Sequence, residues 1–202
     1  MRIDPAPLDP IAIYKLLTGM IVPRPIAWVT TRSPAGVVNL APFSGFTILA
    51  HEPAMVGITV ARKGTVLKDT ARNIHLTGEF VVHIADQHQL EALHESAVEY
   101  PEEVSEPALL GIALVASETV AVPRVARAPV AMECRFARSV PFGHGGSELI
   151  AGEVTMFHVR EGLVHEGKID AEALDPVCRL GGPKYARLGP VIRMRRIQTG
   201  GG

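Results

Sequence analysis

A chain of 202 residues with 20 basic and 21 acidic side chains carries a formal net charge of −1, which excludes the broad basic footprint of a nucleic-acid binder. Its 47% apolar and 20% charged residues give a globular balance, and at roughly 150 residues per domain the expectation is one domain spanning 1–202. Nineteen glycines and 16 prolines suit a turn-rich β fold better than a helical bundle, and 5% aromatics leave the core to Val, Ile, Leu and Ala.

The first expected element is a short helix from Asp9 to about Leu17, with Asp9 as cap, Pro10 in the first turn, one apolar face of Ile13, Leu16 and Leu17, and Gly19 as terminator. Ile26 to Thr31 has strand composition, Ser33-Pro34-Ala35-Gly36 is a turn signal, and Val37 to Leu40 reads as the returning strand of a hairpin. Strands are expected at Ser44–Leu49, at Met55–Ala61 as a central strand, and at Phe80–Ala85. A helix is expected from Asp69 to Leu76 and another, opened by a capping box at Asp86, through about Ser96. Tyr100 to Pro107 reads as an acidic surface loop. Further strands are expected near Ile112–Ala116, Val130–Ala137, Leu149–Val159 and Val191–Met194, with a glycine-rich loop at Pro141–Ser147 and a disordered tail at about 198–202. Many short strands with interposed helices favour an antiparallel barrel over a doubly wound sheet.

Cys134 and Cys178 form no Cys-x-x-Cys pair, which excludes zinc-ribbon and thioredoxin readings and leaves two reduced thiols in a cytoplasmic protein. The acidic, proline-rich start lacks the apolar run of a signal peptide, and no apolar stretch approaches the ~18 residues that span a bilayer. The eight histidines form no zinc pattern, so no metal is expected. Hydrolase and Rossmann glycine signatures are also absent.

Three segments could carry chemistry. Asn39-Leu40-Ala41-Pro42-Phe43-Ser44 leaves a strand and offers an amide, a ring, a hydroxyl and backbone donors to a flat ligand's edge; it also reads as a plain strand connection. Arg62 to Asn73 places Lys68, Asp69 and Thr70 at a helix start after Gly64, where free N–H groups and the helix dipole favour a phosphate, with Asp69 turned away; ordinary capping by Asp69 is the alternative. Gly181-Gly182-Pro183-Lys184-Tyr185 permits a close approach, with Tyr185 against either a planar ligand or the protein's own interior.

Arg24-Pro25-Ile26-Ala27-Trp28-Val29-Thr30-Thr31, Asn39 to Ser44, Lys68-Asp69-Thr70 with Asn73, Gly152-Glu153-Val154, and Gly181-Gly182 with Tyr185, in that order and spacing, resemble the flavin reductase-like, FMN-binding split-barrel family in its flavoredoxin branch. The resemblance implies a mainly β fold with helical inserts, a six-stranded antiparallel split β-barrel working as a homodimer with FMN near the subunit interface. It places Asn39, Leu40, Ala41, Pro42, Phe43 and Ser44 beside the isoalloxazine and ribityl chain, Lys68, Asp69, Thr70 and Asn73 near the phosphate, and Tyr185 near the ring. No side chain need act as catalyst, since the redox chemistry belongs to the flavin. The implied activity is NAD(P)H-dependent flavin reduction, with NADH or NADPH as donor and an oxygenase or electron carrier as partner. The alternatives are an electron-transfer protein without a nicotinamide site and a non-catalytic flavin binder. Where relatives carry a histidine five positions before the glycine of Gly-Glu-Val, this chain has Ser147, with His144 three residues earlier. The loop around His144 is expected to be mobile and, with Tyr185, to border the open side of the flavin.

Overall fold

The computed structural model describes residues 1–195. Helix α1 (Pro10–Met20) starts at the expected cap, where Asp9 Oδ1 accepts from the Ile11 and Ala12 amides at 2.8 and 2.9 Å. There follow β1 (Arg24–Pro25), β2 (Ala27–Arg32), β3 (Val38–Phe43), β4 (Phe46–His51), β5 (Ala54–Val60), α2 (Asp69–Thr77) and β6 (Glu79–Ile84). A 3-10 turn (Gln87–Gln89) then leads into α3 (Leu90–Glu95), α4 (Glu106–Leu109), β7 (Leu114–Val115) and β8 (Arg124–Val125). The long hairpin β9 (Val130–Phe142) and β10 (Ser147–Val159) precedes β11 (Val164–His165), β12 (Lys168–Ile169), α5 (Ala171–Leu174), β13 (Cys178–Arg179) and β14 (Tyr185–Ala186).

Seven strands pair antiparallel in the order β3-β2-β6-β9-β10-β5-β4. The two end strands, β3 and β4, are joined by only Ser44 and Gly45, so the sheet must curl until its ends meet. Counted as one strand bent at that corner, β3–β4 gives the six-stranded split barrel expected from the sequence. The corner is tight: the Thr59 amide donates to the Gly45 carbonyl at 2.6 Å, and a Cβ on Gly45 would stand 2.8 Å from that of Thr59.

Alternate residues of the strands point inward and fill the barrel. Ala27 and Val29, Val56, Ile58 and Val60, Phe80 and Val82, and Met132 and Cys134 form one buried cluster with Ile150, and Ala71 and Ile74 of α2 plug its end. Strand β2 is buried on its other face too, where Trp28 packs with Leu40, Leu93, Val125 and Val177. Trp28 Nε1 donates to Ser96 Oγ at 2.9 Å. Burial pushes both cysteine thiols up, so neither is a ready thiolate.

The fully buried His83 is fixed as one tautomer. Nε2 accepts from the Val125 amide at 2.9 Å, so it carries no hydrogen, and Nδ1–H donates to the Trp28 carbonyl at 2.8 Å. Burial lowers its pKa from 6.5 to about 4, against the raising effect of the Trp28 hydrogen bond. Between those values the unfolded chain binds a proton that the folded chain refuses, so stability falls as pH drops from 6.5 to 4. The expected loss from His83 is on the order of 3 kcal/mol. Urea unfolding across that range checks it, and His83→Phe should flatten this limb at a lower overall stability.

Several expected elements differ. The helix opened by Asp86 breaks into the 3-10 turn and α3 because the Asp86 side chain caps only the first of them, at the His88 amide. The acidic segment from Tyr100 is not a free surface loop throughout: Glu106 and Pro107 are buried and open α4. The supposed loop at Pro141–Ser147 shrinks to the turn Gly143–Gly146, since pairing carries β9 out to Phe142. Ile112–Ala116 is strand only at Leu114–Val115. Val191–Met194 is irregular and exposed, because no strand lies beside it to pair with. Helix α1 runs past Gly19, and its Leu17 faces outward. The tail at 198–202 lies outside the described residues. No described helix is long and apolar enough to cross a membrane.

Candidate functional site

A cavity of about 610 Å³ opens between β3, the β3–β4 corner, the start of α2 and the segment from Ser96 to Glu102. Asn39, Ala41, Pro42, Phe43 and Ser44 form one wall, and Lys68, Asp69 and Thr70 another. The two segments read separately in the sequence touch here: Asn39 Nδ2 donates to Thr70 Oγ1 at 2.9 Å. The Thr70 oxygen thus takes its hydrogen bond from protein, and the hydroxyl hydrogen has no acceptor among the described residues. Residue types and spacing account for this: β3 alternates, so Asn39 faces α2 while Leu40 turns to the opposite layer beside Trp28.

Lys68, not Asp69, is the N-cap of α2, and it makes no side-chain capping bond, so the first-turn amides keep their donors free. Asp69 turns along its own helix to Arg72 at 2.6 Å, which in turn reaches Glu102 at 2.8 Å. Lys63 and Lys68 meet Glu99 at 3.0 and 3.6 Å. The Lys63 ammonium holds the Glu99 carboxyl below its usual range. Glu99 and Glu102 therefore lay carboxylates against the cations of the cavity mouth.

Leu40, Asn73 and Tyr185 do not line this cavity. Leu40 is core, and its amide donates to Glu106 Oε2 at 2.9 Å. Asn73 lies buried beneath the site, donating to Thr31 Oγ1 at 3.1 Å. Tyr185 lines a separate depression with Leu90 and His94, and its hydroxyl lies between Arg179 and His94 Nδ1, the latter at 3.0 Å. His144 does not line the cavity either, although its turn is tied at the Gly146 carbonyl to Arg62 Nε, at 3.2 Å, next to the cavity residue Lys63.

Sequence reasoning left out Tyr14, Lys63, Glu99, Glu102, Glu106 and Arg179, all on the cavity wall. Burial pushes the Glu106 carboxyl up, opposed by the Leu40 amide and reinforced by nearby Asp69. The Ser105-Glu106-Pro107 pattern of a helix start was its one sequence signal. Arg24 acts as a staple. Its Nη1 donates to the Thr18 and Ile21 carbonyls, Nη2 to the Leu180 carbonyl and Nε to Ser44 Oγ, tying α1 and the segment at Leu180 to the β3–β4 corner. No group of three metal-ligating side chains forms among the described residues.

A profile for the flavin reductase like domain matches residues 19–172. The crystal structure of nitrilotriacetate monooxygenase component B from Bacillus cereus superposes with a TM-score of 0.94 at 41% identity, covering 96% of this chain and 98% of that one. The 2-nitrobenzoate 2-nitroreductase NbaA of Pseudomonas fluorescens gives 0.88 at 30% identity over 100% of both chains. Flavoredoxin of Desulfovibrio vulgaris gives 0.74 at 23% identity, covering 86% of this chain and 91% of its own, a likeness of fold alone. The flavoredoxin branch suggested by the motifs is thereby corrected: similarity in sequence runs to component B instead.

Proposed function

This chain belongs to the flavin reductase-like domain family, and from that premise we propose that it binds FMN in the 610 Å³ cavity and reduces flavin with NADH or NADPH for an oxygenase partner. The observation that carries this reading is the Asn39–Thr70 hydrogen bond, which sets a free hydroxyl donor beside uncapped helix amides and two lysines. That donor set matches a phosphate. The cavity is also within the size range of cofactor sites, roughly 300–1,000 Å³. Bound FMN supplies two-electron redox chemistry between a reduced nicotinamide and an acceptor. The protein's residues hold and orient it. Lys63 and Lys68 neutralise the phosphate, Thr70 donates to it, and Ala41, Pro42 and Phe43 offer an apolar edge. The oxygenase partner is supported by component B, whose name makes it one part of a monooxygenase.

Lys68→Ala is expected to weaken FMN by roughly tenfold or more, from the loss of one charge-assisted hydrogen bond of about 1.5–3 kcal/mol. Riboflavin, without the phosphate, should bind unchanged. Glu99→Gln should act in the opposite sense, tightening FMN up to about fivefold by freeing the two lysines, because exposed ion pairs contribute at most about 1 kcal/mol. Flavin fluorescence titration reads all three; equal losses for FMN and riboflavin would defeat the phosphate assignment.

The proposed assembly is a homodimer. Ile11, Tyr14 and Leu17 of α1, with Ile21 at its C-cap, are exposed apolar residues beside the cavity, which Tyr14 also lines. Light scattering should give about twice the 21.6 kDa chain mass, and Leu17→Lys should return it to monomer. A second reading, electron transfer without a nicotinamide site, is favoured by one feature: His144 is not among the residues lining the cavity, and Ser147 holds the family histidine's place. Anaerobic titration of the FMN-loaded protein separates them, since only the reductase is bleached by NADH or NADPH.

A further inference from the structure

A second cavity, of about 600 Å³, plays no part in the function proposed above; it is lined by Arg124, Arg127, Phe157, His158 and Arg160 among others. Pro42, Trp28, His83, Ala131 and His158 are successive cross-strand neighbours. Four strand spacings, about 19 Å along the curved sheet, therefore separate it from the wall of the first cavity.

Its charges are unequally matched. Arg160 meets Asp86 at 3.0 Å and the Ala173 carbonyl at 3.1 Å. Arg124 and Arg127 have no carboxylate partner among the described residues, and the buried Arg124 Nε has no acceptor. His158 Nε2 lies 2.6 Å from Oε1 of the fully buried Glu133. Glu133 also accepts from the Glu118 amide and from the Thr119 amide and hydroxyl, so it is a held carboxylate. A carboxylate only accepts, so His158 carries its hydrogen on Nε2 and is left with Nδ1 for another partner. Phe157, 58% exposed, is also among the residues that border this cavity.

We propose that this cavity binds a phosphate monoester. A phosphate dianion matches the two guanidinium charges that lack a carboxylate partner, where a monocarboxylate would leave one charge unmet. The Phe157 ring offers a flat apolar surface to the ester's organic part, which fits a nucleoside better than bare phosphate. The site needs no flavin, so it stands or falls separately from the first cavity.

Calorimetric titration of the protein in saturating FMN with 5′-AMP, at low salt, tests it. Binding of one AMP per chain is expected, at least about fivefold weaker in Arg127→Gln, whose exposed side chain is dispensable for folding, and unchanged in Lys68→Ala. Phe157→Ala should weaken AMP but not inorganic phosphate. The proposal is overturned by absence of binding, by equal affinity in Arg127→Gln, by benzoate binding as tightly as AMP, or by release of fluorescent FMN as AMP is added. The last outcome would put AMP in the first cavity instead.

Discussion

Gly152→Ala is expected to destabilise the barrel by about 3 kcal/mol or more, at the upper end of overpacking costs. The new Cβ would stand 2.3 and 2.7 Å from Cζ and Cε1 of Phe80 and 3.2 Å from Cβ of Cys134. Both neighbours are fully buried, and Phe80 is enclosed by the barrel's inner residues, so the ring has nowhere to withdraw. The pairing of β9 and β10 shifts register between Ala151 and Gly152, which brings the backbone in close. Space, not backbone conformation, therefore requires glycine, and the Gly-Glu-Val motif is explained by packing at its first residue. Phe80→Leu removes the colliding ring atoms. It should cost stability alone, yet the double variant should be more stable than Gly152→Ala. Urea unfolding of the four proteins gives the coupling, and simple additivity would refute the collision.

Glu133→Ala should cost about 3–5 kcal/mol at neutral pH, because a buried charge network loses the member that its partners share. The Glu118 amide at 2.8 Å, the Thr119 amide and hydroxyl at 2.6 Å each, and His158 Nε2 at 2.6 Å would all lose their acceptor. Burial alone would push the Glu133 carboxyl up, but these bonds outweigh it and hold it down to about 2. With an unfolded value near 4.5, the contribution is present above pH 4.5 and is lost as pH falls towards 2. His83 acts in a separate window, from 6.5 down to about 4. The acid limb of wild-type stability should thus have two parts: Glu133→Gln should flatten the lower and His83→Phe the upper. Acid unfolding followed by circular dichroism distinguishes them, and a single limb unmoved by either change would show that other groups control it.

The positions of most strands were legible because alternation and turn residues are local. Met55 to Val60, Phe80 to Val82 and the β2–β3 hairpin declare themselves by composition and by the turn between them. The outer half of the β9–β10 hairpin did not, since Arg138, Ser139 and Pro141 look like loop. Those residues are strand because a partner across the hairpin takes their backbone groups. The reverse holds at Val191–Met194, where apolar residues without a neighbour stay irregular.

At the candidate site the sequence by itself determined two walls, Asn39–Ser44 and Lys68–Thr70, because each is a short contiguous segment whose chemistry does not depend on distant chain. Only the tertiary structure decided the rest. It turned Leu40 and Asn73 into packing residues, placed Tyr185 in another depression, and brought Glu99, Glu102 and Arg179 to the mouth. Arg179 is the neighbour of Leu180, whose carbonyl accepts from Arg24, 156 residues earlier in the chain. Charges that meet across such separations leave no spacing to read. They are neighbours because the barrel closes between β3 and β4 and draws α1 and the segment around Leu180 against that corner.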